Sequence, residues 1–266
     1  MVAEQLVAEK YRQLRRRLAG LERVAVAFSG GADSSFLWYA ARSVLGDRVL
    51  AIHAASPMQA PGEPENARLV AAAIGGPLLV RPLDPLSWPE VAANPPERCY
   101  FCKKRIYTDF LAVAAEHGIV TLLDGTNLDD LSDHRPGLRA IRELGVLTPL
   151  ADAGLRKGEV RQLSRQRGLS TWNRPSSSCL ATRFAANHPL TLPGLAQVAR
   201  CEEFLHGLGF AGCRVRHRGD WGRIEVRPVD FNRLGQEKYW GRVEEFCREA
   251  GFRYLRREIR PATGVL

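Results

Sequence analysis

The chain has 266 residues, 45% of them hydrophobic and 25% charged, and a net charge of +9. These values fit a folded protein of one large domain or a large and a small one, and they exclude disordered and fibrous classes. The basic balance admits anionic partners in general, nucleotides as well as nucleic acids. The N-terminal stretch MVAEQLVAEKYRQLRRRLAGLERV predicts a charged amphipathic helix without the apolar run of a signal peptide. No other stretch reaches membrane-spanning length, so a cytoplasmic protein with no membrane partner is expected.

A strand is predicted at 24–28 (VAVAF), then a helix to about Val44, a strand at 48–54, a helix over 62–75 and a short strand at 77–81. Residues 84–103 (DPLSWPEVAANPPERCYFCK) hold several prolines and little periodicity, so they read as a functional loop. A helix over 104–117, a strand at 119–125 (IVTLLDG) and a helix at about 156–168 follow. This alternation predicts an α/β fold, a doubly wound parallel sheet whose ligands bind beyond the carboxyl ends of its strands. The irregular stretch 170–194 divides the chain into expected domains at 1–184 and 185–266. Beyond it, a helix at 195–208, two strands within 213–227, a helix at 236–250 and a strand at 252–259 predict a small α+β domain.

The first strand runs into Ser29-Gly30-Gly31-Ala32-Asp33-Ser34 and then at once into a helix. Adjacent glycines let backbone approach an anion, the serines add hydroxyl donors, and the helix N-terminus favours negative charge, so this reads as a phosphate cradle. No lysine follows, which sets it apart from the Walker loop. The S-G-G-x-D-S pattern resembles the pyrophosphate-binding loop of the PP-loop ATPases, which cleave ATP to AMP and pyrophosphate; the resemblance makes Asp33 a residue that helps hold magnesium.

Six cysteines without a secretory signal point to reduced thiols. Cys201, Cys213 and Cys247 fall in apolar patterns and are expected to pack in the core. Cys99 and Cys102 form C-x-x-C among Arg98, Lys103, Lys104 and Arg105, whose charges favour thiolate. A thioredoxin-like redox pair would require the motif to open the helix of a βαβ unit, which the loop assignment denies it. A structural zinc needs four ligands, and only Cys179 lies in a comparably irregular segment. Three cysteines suit a four-iron four-sulfur cluster with one open iron; unrelated loop thiols are the bland alternative.

Asp124, Asp129, Asp130 and Asp133 crowd DGTNLDDLSDHRPG, where magnesium or nucleotide contacts and a solvated acidic turn are both open readings. Arg183 follows Cys179 closely enough for an electrostatic role beside it. Arg214, Arg216 and Arg218 alternate on one strand face, where guanidinium groups can clamp a phosphate, and Glu225 lies on the next strand. His117, His134 and His206 have no metal-ligand spacing.

Taken together, SGGADS, NPPERCYFCKK, LDGTNLDDLSDHRPG, TWNRPSSSCLATRF, LGFAGCRVRHRGDWGRIEV and GFRYL resemble the LarE family of ATP-dependent sulfur transferases within the PP-loop ATPases. The resemblance implies adenylation of a carboxylate of pyridinium biscarboxylate mononucleotide, then replacement of the adenylate by sulfur, repeated on the second carboxylate. It implies ATP and magnesium at Ser29, Gly30, Gly31, Asp33, Ser34 and Gly125, with Lys103 and Arg183 as active-site cations. Glu202, Arg214, Arg216 and Glu225 become substrate-side groups. Some members spend one cysteine as sulfur source and others carry three around a four-iron four-sulfur cluster; Cys99, Cys102 and Cys179 place this chain with the second kind. A homo-oligomer with a small-molecule substrate and no nucleic acid is expected, the sulfide donor staying open. The end REIRPATGVL lacks the Gly-rich arginine segment of the pattern, with Arg260 as the candidate replacement. The rival readings are an iron–sulfur tRNA thiolase of the same superfamily and a non-catalytic nucleotide-sensing module.

Overall fold

The computed structural model describes residues 2–132, 136–175 and 177–260, so Asp133 and His134 lie outside the described residues. The first elements are α1 (Val2–Ala19), β1 (Val24–Ala27), α2 (Ala32–Leu45), β2 (Val49–Ala55), α3 (Glu63–Ile74) and β3 (Leu78–Pro82). They are followed by α4 (Arg98–Glu116), β4 (Thr121–Leu123), α5 (Pro136–Glu143), α6 (Lys157–Gln166) and α7 (Leu192–Gly207). The chain ends in β5 (Arg214–Arg218), β6 (Trp221–Val226), α8 (Pro228–Leu234), α9 (Glu237–Glu249) and β7 (Tyr254–Ile259). Among the described residues no helix is long and apolar enough to cross a membrane.

Two compact units are present, the first made of Met1–Ser56, Gly62–Asp84 and Glu97–Ser177, the second of Pro57–Pro61, Pro85–Pro96 and Ser178–Leu266. Beside the expected 1–184 and 185–266 division, the second unit begins earlier and takes in two short proline-bounded excursions.

In the first unit four parallel strands run in the order β3-β2-β1-β4. β1 is short and wholly buried, as a central parallel strand covered on both faces must be. Its alternate residues feed two cores. Val24 and Val26 pack with Leu14 of α1, Phe36 and Trp38 of α2, Val70 of α3 and Val160 of α6. Ala25 and Ala27 pack with Tyr107 and Phe110 of α4 and Leu138 and Ile141 of α5. Helices therefore cover both sides, and the strand ends are the accessible edge.

Two expectations need correction here. The loop assigned to 84–103 ends early, because α4 begins at Arg98 and places Cys99 and Cys102 in its first turns. Pro95 and Pro96 are read better as the entry to a helix than as the body of a loop, and the buried face running through Tyr100, Tyr107, Phe110 and Val113 continues the helical period upstream. The C-x-x-C thus does open a helix, although β3 and β4, which that helix joins, lie at opposite edges of the sheet. A helix was also missed at α5, an eight-residue segment whose three buried residues are too few to stand out from its flanks.

The second unit is a three-stranded sheet in the order β5-β6-β7 with α7, α8 and α9. β5 and β6 form a hairpin across the two-residue turn Gly219-Asp220, where Gly219 has φ +65. β7 returns parallel to β6. The short helix α8 adds to the predicted order of elements. Cys201, Cys213 and Cys247 are all fully buried, as expected of packing residues. α7 starts three residues before its predicted position because Thr191 caps it, its hydroxyl accepting from Gly194 N at 3.2 Å. Thr191→Ala should cost about 1 kcal/mol in chemical denaturation, and an unchanged midpoint would show that the cap is idle.

Candidate active site

In the first unit, β1 delivers its carboxyl end to the N-terminus of α2. The N-cap Gly31 offers no side chain, so the first-turn amides of α2 have no capping acceptor and no intrahelical one. Gly30 turns through φ +75 and lies against α3, where a Cβ would come within 3.0 Å of Ala67 Cα. The Ser29 and Ser34 hydroxyls meet at 3.0 Å, and Ser29 Oγ accepts from Gly31 N at 3.3 Å. Gly125, just beyond β4, approaches the same helix end so closely that a Cβ would lie 2.9 Å from Ser34 N.

Four aspartates near this edge have different surroundings. Asp33 sits on the first turn of α2, 3.8 Å from Lys157 Nζ, and its Oδ1 is enclosed with no hydrogen-bond partner. Burial raises its pKa, with the Lys157 charge pulling the other way and Asp130 reinforcing the rise. Asp124 is held on both oxygens by Lys103, Tyr107 and Thr126. Its pKa is lowered: burial opposes the charge, but Lys103 and the hydrogen bonds of Thr126 and Tyr107 outweigh it. Asp129 accepts from Lys157 N at 2.9 Å and Arg156 Nη1 at 2.7 Å. Asp130 accepts from Asn127 N at 3.1 Å, while the Asn127 side-chain amide lies near enough to Asp33 to pull its pKa down, its enclosed Nδ2 making no hydrogen bond of regular geometry. Asp33 thus has Asn127, Asp130 and Lys157 around it, while Asp124 and Asp129 are taken up by other donors. Lys157 and Asn127 were not singled out from sequence; Asn127 lay inside a quoted motif, but nothing local marks Lys157.

The C-x-x-C pair stands on α4, with Cys99 exposed and Cys102 half-buried. Cys99 Sγ accepts from Arg98 Nη2 at 3.4 Å in the first turn of α4. Of the flanking cations, Lys103 pairs with Asp124 and Lys104 with Glu143 at 2.7 Å. Thiolates three residues apart on one cationic helix end suit iron–sulfur or other soft-metal ligation. Among the described residues no three His, Cys, Asp or Glu side chains gather as a metal site.

Cys179 belongs to the second unit, exposed at the start of a single turn, Leu180–Arg183, whose Leu180 N donates to Met58 O at 2.8 Å. Arg183, 2% exposed, clamps this turn. Its Nη1 donates to Ser178 Oγ at 2.7 Å, Ser178 O at 3.0 Å, Cys179 O at 3.3 Å and Thr182 Oγ1 at 2.9 Å. Its Nε and Nη2 form a bidentate pair with Glu202 of α7 at 2.9 and 2.8 Å. Glu202 also accepts from Val215 N at 2.9 Å, which ties the turn to β5. The arginines of β5 differ among themselves. Arg216 pairs with Glu225 at 2.9 Å and donates to Thr182 O at 2.7 Å, and Arg223 takes the other Glu225 oxygen at 2.7 Å. Arg214 is buried and donates to Cys213 O at 2.8 Å; among the described residues it has no carboxylate within ion-pair distance. Burial, then the Arg183 charge, lowers its pKa, so an anion beside it would be favoured. Arg218 at the strand end is exposed, and Arg260 donates to Gly212 O at 2.8 Å. His117 and His206 are exposed.

A neutral isostere relieves a carboxylate whose burial outweighs its partners. Asp33→Asn should therefore raise the melting temperature of the ligand-free protein; a lower one would mean that the Lys157 attraction dominates.

No family model matches the chain. Over 251 residues it is 36% identical to the pyridinium-3,5-bisthiocarboxylic acid mononucleotide synthase of Lactiplantibacillus plantarum, covering 94% of this chain and 90% of that one. An uncharacterized protein of Synechocystis is 36% identical over 250 residues, 94% of this chain and 93% of its own. An uncharacterized protein of Methanocaldococcus jannaschii is 29% identical over 217 residues, 82% of each chain.

Proposed function

Starting from a chain that belongs to the LarE family, we propose an ATP-dependent sulfur transferase that turns pyridinium biscarboxylate mononucleotide into its bis-thiocarboxylate. The observation that carries the nucleotide half of this reading is the uncapped N-terminus of α2 beside the enclosed Asp33 oxygen, at the end of a parallel strand in an α/β unit. A substrate carboxylate oxygen attacks the α-phosphorus of ATP and pyrophosphate leaves. The first-turn amides of α2 and the hydroxyls of Ser29 and Ser34 bind the departing phosphates, and Lys103 adds a cation. Asp33, with Asp130 near it, has the oxygen chemistry to hold magnesium on those phosphates. Arg214 binds the phosphate of the mononucleotide, because it is the buried β5 arginine that meets no carboxylate among the described residues. Arg183 and Glu202 fix the Cys179 turn, and Arg216 with Glu225 braces it through Thr182 O.

Cys99, Cys102 and Cys179 would hold a four-iron four-sulfur cluster, which when bound supplies the sulfide that displaces AMP. What supports this reading is the soft sulfur chemistry of these side chains and their pattern in the sequence.

The test is pyrophosphate release with magnesium, ATP and the mononucleotide, followed by mass spectrometry of the acceptor. Asp33→Asn should abolish both pyrophosphate and thiocarboxylate. Replacing any of Cys99, Cys102 or Cys179 by Ala should remove bound iron and sulfur transfer together but leave adenylation. Full sulfur transfer by Cys99→Ala and Cys102→Ala, with Cys179 losing the mass of hydrogen sulfide after one turnover, would overturn the cluster reading in favour of a sacrificial cysteine.

Arg214→Ala should weaken mononucleotide binding by about 1.5–3 kcal/mol while sparing ATP, as measured by calorimetry. Equal losses for both ligands would remove Arg214 from the substrate site.

A further inference from the structure

A lysine ammonium is useful to a transferring phosphoryl group only when something holds its flexible stem in one place. Lys103 lies on α4 with its ammonium 5.0 Å from the Tyr107 ring centroid and 3.2 Å from Asp124 Oδ2. Its stem is confined by α5, where a Cβ on Gly137 would come within 3.2 Å of Lys103 Cδ. Asp124 itself is 7% exposed and has no acceptor capacity left over. Lys103 and the Tyr107 hydroxyl donate to Oδ2, and Thr126 donates to Oδ1 through both its backbone N, at 2.7 Å, and its hydroxyl. Four donors fill the four lone-pair sites of a carboxylate. Tyr107 is buried in the core shared by α4, α5 and the sheet. Burial and the neighbouring Asp124 charge push its pKa well up, so the phenol keeps its proton and donates it. The network ends at the phosphate loop, since Gly125, the next residue after Asp124, is the one that abuts Ser34 N.

We propose that Asp124 and Tyr107 are positioning residues that aim the Lys103 ammonium at the phosphate loop, and that Asp124 is not a magnesium ligand. The inference rests on the reading that nucleotide phosphates lie at residues 29–34. Asp124 sets where Lys103 points, and Tyr107 with Thr126 sets where Asp124 points. The contrast with Asp33 is chemical: one carboxylate has an oxygen without a donor, and the other has two donors on each oxygen.

The test is a double-mutant cycle on kcat for pyrophosphate release, with magnesium, ATP and the mononucleotide. Tyr107→Phe keeps the ring in the core and removes only the hydroxyl, and a thermal melt checks that it folds. It should lower kcat about tenfold, the size of one hydrogen bond to a charged group, with little change in KM for ATP. In a Lys103→Met background the same change should cost nothing further, because a residue that acts through Lys103 has nothing left to aim. An equal loss in both backgrounds would overturn the proposal by making Tyr107 a general structural residue. Asp124→Asn should lose at least as much as Tyr107→Phe and stay low as magnesium is raised. Recovery at high magnesium would overturn the proposal by making Asp124 a metal ligand. Normal turnover by Lys103→Met would defeat this proposal alone, whereas a wild-type protein releasing no pyrophosphate would defeat the nucleotide reading and this proposal with it.

Discussion

The chemistry of the first unit depends on how closely the end of β4 approaches the first turn of α2. Gly125 carries no side chain, and one added carbon there would meet Ser34 N at 2.9 Å. That contact is with backbone at a helix terminus, which cannot shift without moving the loop before it. Because the approach is close, the residues on either side of Gly125 are brought to the loop at 29–34 in fixed positions. Asp124 takes Lys103 and Tyr107 on one side. Thr126 returns to Asp124, and Asn127 orients Asp129 and Asp130 by accepting from their amides at 3.0 and 3.3 Å. A single small residue therefore sets the spacing between a helix N-terminus, an ammonium and a group of carboxylates.

Burial alone does not decide what those carboxylates do. Asp124 is the more deeply buried of the two that matter, yet its pKa is lowered, whereas that of Asp33 is raised. The difference is the number of donors each receives. In the second unit Glu202 and Glu225 are 3% and 2% exposed; Glu202 accepts from Arg183 and from Val215 N, and Glu225 from Arg216 and Arg223.

The parts of the fold that were legible in the sequence are those with a strong local signal. β1 and β2 are apolar runs because parallel strands covered on both faces must be, β3 is a short, partly buried edge strand with Leu78, Leu79 and Val80, and α2 and α3 follow β1 and β2 with a clear period. The turn from β1 into α2 was legible for a similar reason: its glycines, serines and aspartate are consecutive. α4 was placed too late because two prolines mask its start, and α5 and α8 were missed because short helices have few buried positions to reveal a period. The partner of Asp33 was not legible at all, since Lys157 comes from a helix far along the chain and has no motif of its own. Nor does sequence spacing reveal that Arg214 and Arg216, alternating on one strand, differ in whether a carboxylate meets them. Such distinctions arise only when separate segments pack.

The six thiols fall into two chemical populations. Burial, and then the Glu202 charge, pushes Cys213 up to about 12, and the Cys201 thiol beside it together with burial raises Cys247 as well. Sulfur attacks only as thiolate, so these two are poor nucleophiles at any physiological pH, and Cys201 shares their enclosure. Air oxidation, alkylating reagents and stray electrophiles are thereby confined to the three thiols that the fold leaves near solvent. A protein that handles reactive sulfur can keep half of its cysteines as inert packing, and damage to the other half removes reactivity without loosening the core.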